Sequence, residues 1–468
     1  MRDMHSSVFA ATFLAFAVLG MPGPASAAEF NQFIAFGDST LDTGYFRYHP
    51  SGNATFDAAL PIAIQQGATG GFAGNGVMNT IILADKFGLN AAPSSNGGTN
   101  YANGGATTVV NDAPDYPNNI TTIQQIQNYL TSVNNVANPN AFYLIKTGDN
   151  DATYVNNQLA IDPNWLNTHP NYLRDVAAAL SVEVANLQAA GARHIMVRNS
   201  YDAALFAGLG GDIPESNQAA YARSKSLMTW EWQYLAERGV RFIPADNDSL
   251  FSFVVHNPTS FGFTAHSVLS SSAPFFMVKS AALCILTPAE QQGYLFIDGV
   301  HLTTAGQTIE ADYEYSLLIA PSQVSRLAEN AVMAGWARAA TIQGQIEASS
   351  RHRGPCGYNL WTSVGANSMR IKNAPGFPDD SGAPIGGAVG VDFLTQNGSI
   401  MGAAFSAGGQ SQAFSSGGHF DQTDQALSFY VARMGDGPLW GNAVLTYSIL
   451  QDSISRPVPL GIFTDQNN

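Results

Sequence analysis

Four short stretches carry the residue types that hydrolytic chemistry needs. Gly37-Asp38-Ser39 closes the apolar run Phe33-Ile34-Ala35-Phe36, and Asp298 and His301 stand three apart between Ile297 and Leu302. Asn100 to Ala106 holds the pair Gly104-Gly105, and Gly148-Asp149-Asn150-Asp151 follows a second apolar run. A serine hydroxyl becomes an effective nucleophile when an adjacent base takes its proton. Imidazole can be that base, and a carboxylate on its other ring nitrogen fixes the tautomer and stabilises the charged ring. Asp298 and His301 have the spacing to meet on one side of a turn. Backbone N–H groups that glycine leaves accessible, and an asparagine amide, suit a developing oxyanion. Each stretch alone has a plainer reading. Gly-Asp-Ser favours ordinary turns, and paired glycines in an Asn-rich segment make a loop. Of nine histidines, only His301 has a carboxylate three residues before it in an apolar-flanked turn.

Positioning these groups takes strands that end together. Phe33–Phe36, Ala141–Lys146, His194–Arg198 and Val240–Ile243 read as short buried strands. Helical spacing separates them: Val77 to Phe87, Ile120 to Val133, Leu173 to Leu187 capped by Gly191, and Tyr221 to Arg238 closed by Gly239. Strands alternating with helices predict a parallel sheet covered on both faces. Reactive groups in such sheets gather outside the carboxyl ends of the strands, where Ser39 and Asn150 fall. Tyr45 to Asn79 shows no clear periodicity and is expected to be irregular and to cover one rim of the cleft. Asp38 and Asp149 are expected to brace their turns.

The chain has 468 residues, 45% hydrophobic and only 12% charged, with 45 glycines and a net charge of −15. The length implies more than one domain, and the charge argues against nucleic acid as a partner. Cys284 and Cys356, the only two cysteines, fall in different expected domains and form neither a disulfide framework nor a metal-ligand pattern. Residues 1–27 read as a signal peptide: Arg2, the apolar run Val8 to Met21, then Ala25-Ser26-Ala27 as an A-x-A site. Pro22-Gly23-Pro24 ends the run too early for a membrane anchor, so the protein is expected to be exported.

From Asn359 the texture changes. In Ala426 to Arg433, Leu427, Phe429 and Val431 alternate with Ser428, Tyr430 and Ala432. Runs of about ten such residues match transmembrane β-strands; a soluble sandwich has the same alternation. A further helical pattern covers Pro321 to Glu347.

Together the four stretches resemble the GDSL, or SGNH, family of serine esterases and lipases: Gly37 to Gly44 for its first block, Asn100 to Ala106 for the second, Gly148 to Asp151 for the third, and Asp298 to His301 for the fourth. Thr40 stands where the naming leucine would be, and Tyr45 replaces a frequent Asn. Neither position supplies catalytic atoms. The helix and β-rich tail resemble the join in autotransporter esterases. The resemblance implies a doubly wound, mostly parallel α/β sheet of flavodoxin-like type at 28–320, a linker helix at 321–350, and an incomplete antiparallel β-barrel at 351–468. The tail has room for four to six strands of about ten residues, so the chain is expected to stop before a barrel closes. Ser39, His301 and Asp298 are the implied triad; the backbone N–H groups of Ser39 and Gly105, with Gly104 as the alternative glycine, and the Asn150 side chain are the implied oxyanion donors. No metal or organic cofactor is implied. The expected activity is hydrolysis of lipid or short-acyl carboxylic esters by an exported enzyme at the outer membrane. A carbohydrate-ester deacetylase and a non-catalytic adhesin are the alternatives.

Overall fold

The computed structural model describes residues 10–12, 30–111, 113, 116–201, 215–263, 281–298, 300–351, 356–366, 368–372, 380–414, 417–433 and 441–464. The expected signal peptide lies outside these residues apart from Ala10–Thr12, a short strand on the edge of Gly441–Ser455. Two compact units are present: residues 28–318 with 458–465, and residues 319–457.

In the first unit, β1 (Gln32–Gly37), β2 (Ala141–Lys146), β3 (His194–Arg198) and β4 (Phe242–Ala245) form one parallel sheet in that order. β4 starts two residues later than the spacing predicts. Val240 donates its N–H to the Leu235 carbonyl at 3.0 Å and so belongs to the preceding helix cap. The segment Thr99–Asn103 lies along the other edge of β1, where Tyr101 N–H donates to the Ala35 carbonyl at 2.8 Å and Asn103 N–H to that of Gly37 at 3.2 Å. The chain therefore passes from β1 to one side and then to the other. This reversal makes the carboxyl end of β1 a topological switch point, and Ser39 stands on it.

Every residue of β2 is buried, as a strand covered on both faces requires. On one face Ile34, Phe36, Tyr143, Ile145, Ile195 and Val197 pack against Ile126, Tyr129, Leu180 and Val184 of the flanking helices. Between Tyr45 and Asn79 the structure departs from the irregular expectation. Ala54–Gln66 is a helix, started by Asn53, whose side chain accepts from Thr55 and Phe56 N–H, and carrying Pro61 inside. Proline suppresses the helical signal in sequence, yet only one backbone donor is lost. The helical pattern expected at Pro321 to Glu347 is part of a single longer helix, Thr304–Arg351, with Pro321 inside; the apolar stretch Leu317 to Ala320 carries the helix up to the proline.

The second unit is an antiparallel sheet. β5 (Gly357–Ala366), β6 (Ile385–Leu394), β7 (Ser399–Phe414), β8 (His419–Arg433) and β9 (Gly441–Ser455) pair in sequence order. Among the described residues β5 and β9 do not pair, so the sheet is open. Leu427, Phe429 and Val431 are 45%, 54% and 50% exposed, while Ser428, Tyr430 and Ala432 are buried. The register continues this outward apolar face through Phe405 and Tyr447, which flank Leu427. The inner face meets the later part of the long helix, where Ile342 and Ile346 pack on Trp361, Ile400 and Tyr430, and Arg326 pairs with Asp380 at 3.0 Å. In residues 458–464, Leu460 and Phe463 pack against Phe251, Phe261 and Leu302 in the first unit. No disulfide joins Cys284 and Cys356.

A buried cation ties the long helix to the parallel sheet. Arg198, at the end of β3 and fully buried, meets Glu310 at 3.1 Å, Glu314 at 3.2 Å and the Asn79 side-chain oxygen at 2.6 Å. Burial pushes the Glu314 carboxyl up to about 7 despite Arg198, and raises that of Glu310 as well. Arg198→Met strands both carboxylates and is expected to cost about 3–5 kcal/mol near neutral pH. Folded-state values above the unfolded ones favour the folded state at low pH, and that advantage is lost as pH rises through them. Chemical denaturation should therefore show a larger deficit at pH 8 than at pH 5.5; an equal deficit at both would contradict this account.

Candidate active site

The turn bearing Ser39 is bonded on both sides. A Cβ at Gly37 would lie 2.0 Å from the Lys146 carbonyl oxygen, so only glycine lets β1 and β2 finish this close. The Gln125 amide clasps Gly37, accepting its N–H at 2.7 Å and donating to its carbonyl at 2.8 Å. Asp38 accepts from the Thr40 N–H and hydroxyl at 3.0 and 2.8 Å and from Lys146 Nζ at 2.9 Å. Asn79 donates to the Thr40 carbonyl at 2.9 Å, and Asn100 to that of Leu41 at 2.7 Å.

The two remote motifs meet at this turn. His301 Nε2 lies 2.8 Å from Ser39 Oγ, and its Nδ1 lies 2.9 Å from Asp298 Oδ2. The second Asp298 oxygen accepts the backbone N–H groups of Val300 and His301 at 2.8 and 2.7 Å. Carboxylate, turn and imidazole are thus one hydrogen-bonded unit. With Asp298 ionised, Nδ1–H donates to it, and Nε2 is left to accept the serine proton. Burial acts to raise the Asp298 carboxyl, but His301 and the two backbone donors outweigh it and hold it below the ordinary range. Burial acts to lower His301, and the Asp298 carboxylate outweighs that and holds the imidazole above its ordinary value.

The donors divide clearly. Gly104 N–H is taken by Asp42 Oδ2 at 3.0 Å. The N–H groups of Gly105 and Ser39 meet no acceptor among the described residues. Asn150 stands in the first turn of the helix Asp149–Ile161 and donates one amide hydrogen to the Ala106 carbonyl at 2.9 Å, the other meeting no acceptor among the described residues. Asp42 also accepts from Gly44 and Tyr45 N–H at 2.8 and 2.7 Å. Its burial pushes the carboxyl up to about 7 against these donors. Asp151, pushed by burial up to about 6, accepts both the N–H and the hydroxyl of Thr108 at 2.8 Å. Two carboxylates thus hold the glycine segment, one from each neighbouring strand end.

Sequence reasoning named Ser39, Gly105, Asn150, Asp298 and His301, and the structure brings the serine, histidine and aspartate into bonding contact. It missed Gln125, Asn79 and Lys146. A lysine closing an otherwise apolar buried strand was a readable signal for the last; the other two carry none.

The model of the GDSL-like lipase/acylhydrolase family matches residues 33–313. The chain belongs to this family. GDSL-like enzymes are, by that description, hydrolases of acyl esters. The autotransporter β-domain model matches residues 360–468, the open sheet and its flanks. An uncharacterised protein from the trpE–trpG intergenic region of Pseudomonas putida is 26% identical over 94% of this chain and 73% of its own length. Lipase 1 of Photorhabdus luminescens is 31% identical over 31% of this chain and 19% of its own. Esterase EstA of Pseudomonas aeruginosa is 27% identical over 66% of this chain, which spans about half, 50%, of that relative.

The electrostatics of this GDSL site set a pH dependence. If His301 is the base, it must lose its proton to act, and the Asp298 carboxylate holds that proton more tightly. The acid limb of kcat/KM for a p-nitrophenyl ester is expected to have its midpoint above the ordinary imidazole value of about 6.5. Asp298→Asn should move the midpoint down while lowering kcat by up to about 10⁴-fold. A midpoint indifferent to Asp298→Asn would mean that another group sets the limb.

Proposed function

We propose that this chain is a serine esterase of the outer membrane that cleaves carboxylic esters, of lipids or short acyl chains, through an acyl-enzyme on Ser39. The observation that carries this reading is the unbroken chain from Ser39 Oγ through His301 to Asp298, at 2.8 and 2.9 Å. Ser39 Oγ attacks the ester carbonyl as its proton passes to His301 Nε2. Asp298 stabilises the imidazolium without taking the proton. The carbonyl oxygen becomes an oxyanion that accepts from the N–H groups of Ser39 and Gly105 and from the other Asn150 amide hydrogen. Collapse breaks the ester C–O bond, and the leaving alcohol takes the proton from His301. Water then repeats the sequence: His301 removes its proton, its oxygen bonds the acyl carbon, and Ser39 leaves with the acid released. A non-catalytic adhesin has no use for a bonded serine, imidazole and carboxylate.

Placement at the outer membrane rests on the autotransporter match and on the outward apolar face of β5 to β9. That face runs through Leu360, Val391, Phe429 and Leu445 at one level of the register. Apolar residues on a single outward face are what a lipid-facing strand requires. The leader composition agrees with export.

Ser39→Ala should lower kcat for p-nitrophenyl esters by several orders of magnitude with an unchanged melting temperature. Asn150→Ala should lower kcat by about 10²–10³ with KM little changed. A Ser39→Ala protein that keeps most of its rate would overturn the nucleophile, and an unaltered kcat in Asn150→Ala would remove that amide from the oxyanion site. A series of acyl lengths beside acetylated glycans separates lipid esterase from carbohydrate deacetylase; activity confined to the glycans would replace the substrate class proposed.

A further inference from the structure

Phe72 lies outside every motif, yet its ring rests on the candidate base. It sits in a loop closed on itself, where the Thr69 N–H and hydroxyl both donate to the Gly74 carbonyl, at 2.7 and 2.6 Å. The loop presents the Phe72 ring to His301 with centroids 5.4 Å apart and planes at 35°. Behind it Tyr116 meets the Phe72 ring edge-on at 5.8 Å, and Tyr116 in turn stacks on Phe46 at 5.2 Å. Phe72 is only 3% exposed, so this aromatic wall keeps water from one face of the imidazole. Its tip also fills the space beside the glycine pair: a Cβ at Gly104 would lie 2.0 Å from Phe72 Cζ. The two glycines thus serve different ends. Gly105 offers its N–H, and Gly104 makes room for the ring that covers His301.

We infer that Phe72 is a positioning residue for His301, one whose ring also favours the imidazolium that forms when Ser39 gives up its proton. The inference rests on His301 being the base. An aromatic face is electron-rich and attracts a cation within about 6 Å of its centroid. The other groups acting on His301 are the Asp298 carboxylate on its own turn, Asp38 on the β1 turn, and Lys146 at the end of β2, which opposes the two carboxylates. The Cys284 thiol beside Asp298 is pushed by burial up to about 11 and stays neutral through the working range. Against these fixed charges, Phe72 contributes a quadrupole and a dry surface.

The test separates ring electronics from packing. Phe72→Leu keeps an apolar filler and should lower kcat roughly tenfold with KM unchanged, while the acid-limb midpoint of kcat/KM falls by roughly half a pH unit. Phe72→Tyr should restore both. Fluorinated phenylalanines at this position keep the shape while withdrawing charge from the ring face, so the midpoint should fall step by step with fluorine count even if Phe72→Leu folds poorly. A midpoint that does not move across the fluorinated series would overturn the inference. His301→Gln in parallel distinguishes the two levels: if it retains activity, the reading of His301 as base fails; if it is inactive and the series is flat, only the role of Phe72 fails.

Discussion

Everything at the site depends on one buried cation, Lys146. Parallel pairing sets Gly37 opposite Lys146, so β1 and β2 end at the same level. One residue past Gly37 stands Asp38, and three past Lys146 stands Asp149; the ammonium pairs with both while only 3% exposed. Burial acts against the charge, and the two carboxylates outweigh it, holding Lys146 well above the ordinary lysine range. Ser39 follows Asp38 directly and Asn150 follows Asp149 directly, so a single ion sets the spacing of the proposed nucleophile and the proposed oxyanion donor. Such a triad is a poor source of net stability, because desolvation offsets much of the attraction, but breaking it leaves uncompensated charge and is strongly destabilising. Its value here is geometric.

Around that ion, carboxylates do structural tasks as well as chemical ones. Asp42 gathers N–H groups from its own turn and from Gly104, and Asp151 gathers two groups of Thr108. Of these carboxylates, Asp298 is the one that bonds the imidazole. The distinction is one of partner: backbone donors fix a loop, whereas a ring nitrogen passes a change of charge to the reacting atoms. The same logic separates the glycine pair: Gly104 N–H is taken by Asp42, while that of Gly105 meets no acceptor among the described residues and is the proposed donor.

The serine, histidine and aspartate were legible because each closes a local pattern: an apolar run ending in Gly-Asp-Ser, and a carboxylate three residues before a histidine. The sheet was legible for a similar reason, since continuous apolar runs bounded by turn residues leave few alternatives. What could not be read was long-range. Gln125 lies 88 residues from the Gly37 backbone that it clasps, and Asn79 lies 119 from Arg198. Neither has a local signature, because an amide facing a backbone looks in sequence like any helix polar residue. Phe72 was hidden in the same way, in a loop whose purpose appears only when His301 arrives from the far end of the domain. The helix Ala54–Gln66 was masked by Pro61, and the helix expected to begin at Pro321 begins at Thr304, because one missing donor does not stop a helix.

The central claim is that Ser39 is the atom that carries the acyl group. Treating the protein with a p-nitrophenyl phosphonate, which traps an activated serine as a stable ester, and mapping the modified peptide by mass spectrometry tests it directly. The account predicts one adduct per chain, on Ser39, formed in step with loss of esterase activity and absent from His301→Gln. An adduct on another serine that tracks the loss of activity, or full inactivation with Ser39 unmodified, would contradict it.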